Sequence, residues 1–85
     1  MNIHTSYLSP EESERIENAV RHGIRPETAA KIGRVDIVPA RDDNRTIEVG
    51  FSIPALGEYR ALKLRKHEQS SNEIEQRVRE RLADL

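Results

Sequence analysis

The stretch TIEVGFSIPALGEYRALKL, residues 46–64, alternates apolar and polar residues, pauses at Pro54-Ala55-Leu56-Gly57, and alternates again. A period of two sends successive side chains to opposite faces of a strand. Two such runs around a short Pro/Gly turn therefore specify a β-hairpin with one apolar face. Register follows by counting, because a slip of one residue inverts every side chain. With the loop at 54–57, Ile53 faces Glu58, Phe51 faces Arg60, Val49 faces Leu62 and Ile47 faces Leu64. On the other face Ser52 meets Tyr59, Gly50 meets Ala61 and Glu48 meets Lys63. A third alternating run, Arg34–Pro39, precedes the turn RDDNR (41–45), in which Asn44 suits a left-handed position. A loop at Asp42-Asp43-Asn44 pairs Val35 with Phe51, Ile37 with Val49 and Pro39 with Ile47. The expected sheet is a three-stranded antiparallel meander.

An apolar sheet face needs a cover, and the flanking sequence supplies helices. Ser9-Pro10-Glu11-Glu12 is a capping box with proline at the first helical position, and Ile16, Ala19 and Val20 form an apolar stripe ended by Gly23. A shorter helix is expected from Pro26 to Gly33, with Ala29, Ala30 and Ile32 on its apolar side. Ser70-Ser71-Asn72-Glu73 opens the last helix, whose Ile74, Val78 and Leu82 recur every four residues. Glu73 with Arg77, and Glu75 with Arg79, have the favourable i, i+4 order for ion pairing. The expected fold is α+β, in the order α-α-β-β-β-α, with the helices packed on one face of the meander. It forms a single domain over residues 1–85, with 1–8 as a candidate disordered N-terminal segment.

Ile, Leu, Val and Phe make up 20 of the 85 residues, just above the share, roughly 20 %, below which chains stay disordered. A chain this short buries only about 60 % of its unfolded surface, so stability depends on those residues sharing faces. There are no cysteines, which removes disulfides and thiolate metal sites and makes a reducing cytoplasm the expected location. The 14 basic and 15 acidic residues nearly cancel, to a net charge of −1. Dedicated nucleic-acid binders carry a basic excess that this chain lacks.

Two local patterns point toward nucleic acid. RIENAVRHGIRPETAAKIGRV (15–35) is similar to a helix-turn-helix, with Ala19, Gly23, Ile24, Ala29 and Ile32 at the packing places. That similarity makes Arg25, Thr28 and Lys31 candidate nucleic-acid contacts. YRALKLRKH (59–67) concentrates Arg60, Lys63, Arg65, Lys66 and His67, and Lys66 joins the same candidate set. The order helix, three-stranded meander, helix resembles the double-stranded RNA-binding domain. That family grips phosphate with a Lys-rich cluster at the start of its last helix. The corresponding stretch here, HEQSSNEIEQR, has none, so the resemblance implies topology and not RNA binding.

Catalytic signals are nearly absent from the sequence. His4, His22 and His67 lack metal-ligand spacing, there is no glycine-rich phosphate loop, and no nucleophile motif occurs. No catalytic, cofactor or metal residues are assigned. The leading expectation is a small non-catalytic binding or regulatory protein that works by protein–protein contact, in the style of prokaryotic or phage accessory and inhibitor proteins. The alternative is a nucleic-acid binder using the helix-Gly-helix corner (15–33) or the basic strand end (60–67). The candidate partner surface is the outer face of the meander, at Val38, Glu48, Tyr59, Lys63 and Arg65. Its partner is another protein or a second copy, met by that face or by the edge strand 34–40. Near-zero net charge reduces the repulsion between copies.

Overall fold

Helical and strand periods divide this chain into eight elements over the residues described by the structure, a computed structural model covering 1–41, 45–66 and 70–85. Strand β1 (Asn2–Thr5) is followed by helices α1 (Pro10–Gly23) and α2 (Pro26–Ala29), then by β2 (Arg34–Pro39) and β3 (Thr46–Ile53). A 3₁₀ turn (Pro54–Leu56) leads to β4 (Glu58–Arg65), and helix α3 (Ser71–Arg81) completes the order. The sheet runs β1-β2-β3-β4.

The meander forms in the expected register. Val35 pairs with Phe51, Ile37 with Val49 and Pro39 with Ile47, and Phe51 in turn pairs with Arg60, Val49 with Leu62 and Ile47 with Leu64. Gly57 closes the 3₁₀ turn at φ 62°, a left-handed conformation that glycine adopts without steric cost. The turn at Asp42-Asp43-Asn44, including the expected conformation of Asn44, lies outside the described residues, as does His67.

The three-stranded expectation is corrected by β1. Residues 2–5, within the segment expected to be disordered, pair parallel to β2, with Ile3 opposite Val35 and Thr5 opposite Ile37. The sheet is therefore four-stranded and mixed, and α1 with α2 forms the crossover of a β-α-β unit. That unit breaks the likeness to the double-stranded RNA-binding domain. It also means that most of 34–40 is not an edge, because β1 covers 34–37. Pro39 fits there: β2 turns the backbone of Ile37 toward β1, where its carbonyl accepts from the Ser6 N–H at 3.0 Å. Pro39, which has no N–H to offer, stands beyond the end of β1.

The core lies between the sheet and α1 with α3. Ile16 and Val20 from α1, and Ile74 and Val78 from α3, bury against Val35, Ile37, Val49, Phe51, Leu62 and Leu64. Both long helices start as their sequences dictate: Ser9 Oγ accepts from the Glu12 N–H and Ser70 Oγ from the Glu73 N–H, each at 3.2 Å. The helix ends at Gly23 as expected, and the glycine has a second purpose there. It is the last residue of α1, and a Cβ there would sit 2.7 Å from the Glu75 carbonyl oxygen of α3. The residue lets two helix backbones touch. Glu75 Oε1 also lies 3.9 Å from His22 Nδ1 of α1. No helix among the described residues is long and apolar enough to cross a membrane.

Candidate functional site: the open face of the sheet

With the core on one side, strand alternation assigns the other side of the sheet to a single set of residues. Three cross-strand rows matter. Arg34, Ser52 and Tyr59 form the first, Asp36, Gly50 and Ala61 the second, and Val38, Glu48 and Lys63 the third. Arg65, opposite Thr46, begins the next row. All five residues of the candidate partner surface stand on this face, three of them in one row.

Tyr59 and Gly50 form the centre. The Tyr59 ring lies over Gly50, so that a Cβ at position 50 would fall 1.7 Å from the phenol oxygen. Gly50 is buried as a result, while Tyr59 itself is 59 % exposed. An aromatic side chain covering a strand glycine fills the gap left by the missing side chain and fixes the ring. Burial, with Asp36 and Glu48 nearby, pushes the Tyr59 hydroxyl up from its ordinary value, so it is a protonated donor at neutral pH. Asp36 in turn accepts from Arg34 Nε at 2.8 Å.

Beside this centre runs an open groove lined by Tyr7, Val38, Pro39, Arg41, Glu48 and Lys63. Tyr7 is the residue that sequence reasoning missed. It is 92 % exposed and adopts φ 61°, a left-handed conformation uncommon for residues other than glycine and asparagine. Its only sequence signal is a bulky aromatic in a short polar segment just before a helix cap.

The candidate nucleic-acid contacts do not converge. Thr28 is buried at 5 % exposure, and α2 is a single turn rather than the expected helix to Gly33. It is too short to lie along a major groove. Arg25 lies beside α3, near Glu75, Arg79 and Glu80. Lys31 borders a small apolar hollow with Ile53, Leu56 and Leu85 at the 54–57 end of the sheet. Lys66 bonds the Arg45 carbonyl at the opposite end, about 25 Å away by the rise of an eight-residue strand. Among the described residues, no group of three or more His, Cys, Asp or Glu could hold a metal ion.

The sequence matches no protein-family model and no curated protein.

Proposed function

We propose that this is a small non-catalytic binding protein, an accessory or inhibitor acting in the cytoplasm by contact of its open sheet face with another protein. The observation that carries this reading is the pre-set aromatic anchor: Tyr59 held over Gly50 on a face that α1 and α3 leave uncovered. Tyrosines contribute heavily at protein interfaces because they offer a large, stiff apolar surface with a polar tip. A ring already fixed loses little freedom on binding. The groove adds apolar surface at Val38 and Pro39 beside charges of both signs, Glu48, Lys63 and Arg41. Mixed charge around an apolar centre matches a protein partner with one apolar side chain and a polar rim. A phosphate backbone would instead be met by cations without interleaved carboxylates.

The test is capture from a lysate of the source cells, with nuclease present, using the parent chain, Tyr59→Glu, Val38→Glu and Lys31→Ala. A protein retained by the parent and by Lys31→Ala, but lost with both face variants, supports the reading. Retention by both face variants, or capture abolished by nuclease, overturns it.

A further inference from the structure

The sheet ends in two edges that are treated differently. In β4 the even residues bond to β3, a phase fixed by the Lys66 N–H on the Arg45 carbonyl at 2.7 Å. The main-chain groups of Tyr59, Ala61, Lys63 and Arg65 therefore point outward. This edge is guarded. Arg81 Nε donates to the Ala61 carbonyl at 3.1 Å. Arg60 holds the end of α3 in place, bonding Asp84 through both terminal nitrogens and the Arg81 carbonyl at 3.1 Å. A second strand arriving here must displace Arg81, and it meets Lys63 and Arg65 along the same edge. Charge and blocked carbonyls are the ordinary means by which sheets avoid edge-to-edge pairing.

Among the described residues the β1 edge has neither device. The Asn2 N–H reaches the Gly33 carbonyl at 3.3 Å and the Ser6 N–H reaches that of Ile37. Even residues thus face β2, and Ile3 and Thr5 turn their N–H and C=O groups away from it. Among the described residues β1 has no second sheet neighbour. From Asn2 to Ser6 it carries no Lys, Arg, Asp or Glu. Two exposed large apolar side chains, Met1 and Tyr7, flank it.

We infer that β1 pairs antiparallel with β1 of a second copy, joining two four-stranded sheets into one across a two-fold axis. The strand is complementary to itself. With Ile3 of each copy opposite Thr5 of the other, every free main-chain group of both residues finds a partner. Asn2 then faces Ser6, so no Lys, Arg, Asp or Glu opposes its like. Tyr7 of each copy comes alongside Met1 of the other, covering two exposed apolar groups. The two open faces fall on the same side of the joined sheet, with one Tyr59 anchor on each outermost strand.

The test combines light scattering with amide hydrogen exchange on the full chain, as parent, Thr5→Pro and Lys63→Pro. On the main chain, proline at either position removes an outward-facing N–H and no N–H that bonds within the sheet. The parent is expected to scatter at twice its 9.7 kDa chain mass. Thr5→Pro should scatter as a monomer with unchanged circular dichroism, and Lys63→Pro should stay dimeric. In the parent, exchange at Ile3 and Thr5 should slow as protein concentration rises. A monomeric parent with fast exchange at these two amides at every concentration overturns the inference. So does a dimer that survives Thr5→Pro.

Discussion

At the scale of single residues, the open face depends on one absence, the missing side chain at Gly50. Gly50→Ala would place a methyl 1.7 Å from the Tyr59 oxygen and 2.4 Å from Cζ. Those atoms belong to the free end of an exposed side chain, so the ring swings off while the strand stays intact. The expected outcome is a change in unfolding free energy within about 1 kcal/mol, since alanine also suits a strand better than glycine. Affinity for the captured partner should nevertheless fall. Calorimetry beside a binding titration separates the two; a large loss of stability would mean that Tyr59 cannot leave Gly50. A second residue has the opposite character. Thr5 Oγ1 is shielded from solvent and has no hydrogen-bond partner among the described residues. Thr5→Val keeps the shape, removes the unsatisfied hydroxyl and should raise the melting temperature, by an amount corresponding to about 1 kcal/mol. A lower melting temperature would show that the hydroxyl has a partner.

At the scale of elements, the contact of α1 with α3 rests on Gly23. A Cβ there meets the Glu75 carbonyl oxygen at 2.7 Å and Val78 Cβ at 3.0 Å. A backbone oxygen inside a helix cannot swing aside, so Gly23→Ala must move the helices apart. A loss of about 1–3 kcal/mol is expected from urea unfolding, the usual cost of overpacking; an unchanged midpoint would contradict the close approach. The clasp of α3 onto β4 is electrostatic. Its hydrogen bonds to Arg60 hold the Asp84 carboxyl below the usual carboxylate range. A depressed carboxylate contributes stability above its unfolded value, near 4, and loses that contribution as pH falls through its lower folded value. Asp84→Asn should therefore be less stable than the parent at neutral pH, and the two should converge as the medium becomes acidic. Parallel curves at all pH values would remove Asp84 from the clasp. These elements also show what was legible in advance. The meander and its register could be read because alternation over eight residues leaves one pairing that keeps the apolar sets together. Strand β1 could not. Four residues are too few to show a period, and its partner is parallel and more than thirty residues away, with no turn between them to mark the pairing. The helix end at Gly23 was legible, but its close approach to α3 was not, because a helix-ending glycine and a helix-crossing glycine look alike until the second helix is in place.

At the scale of the whole molecule, one layer of helices covers one face of a small sheet, and the margin for error is narrow. Phe51 is fully buried at the middle of the core. Phe51→Ala should cost about 3–5 kcal/mol, a large part of the roughly 5–15 kcal/mol that holds a typical domain together, and the variant should be unfolded or nearly so near physiological temperature. Parent-like melting would mean that the sheet faces the other way. The same architecture leaves the second face free, and its composition was readable from the strand pattern: Val38, Glu48, Tyr59, Lys63 and Arg65 all stand there. The Tyr7 wall was not, because it is set by the chain's exit from β1. The most direct measurement is amide chemical-shift mapping of labelled protein titrated with the protein it captures. Contact through the open face predicts shifts concentrated at Val38, Glu48, Gly50, Tyr59 and Lys63, with Arg25 and Lys31 unmoved. Shifts centred on Arg25, Lys31 and α2, with the sheet residues still, would contradict it.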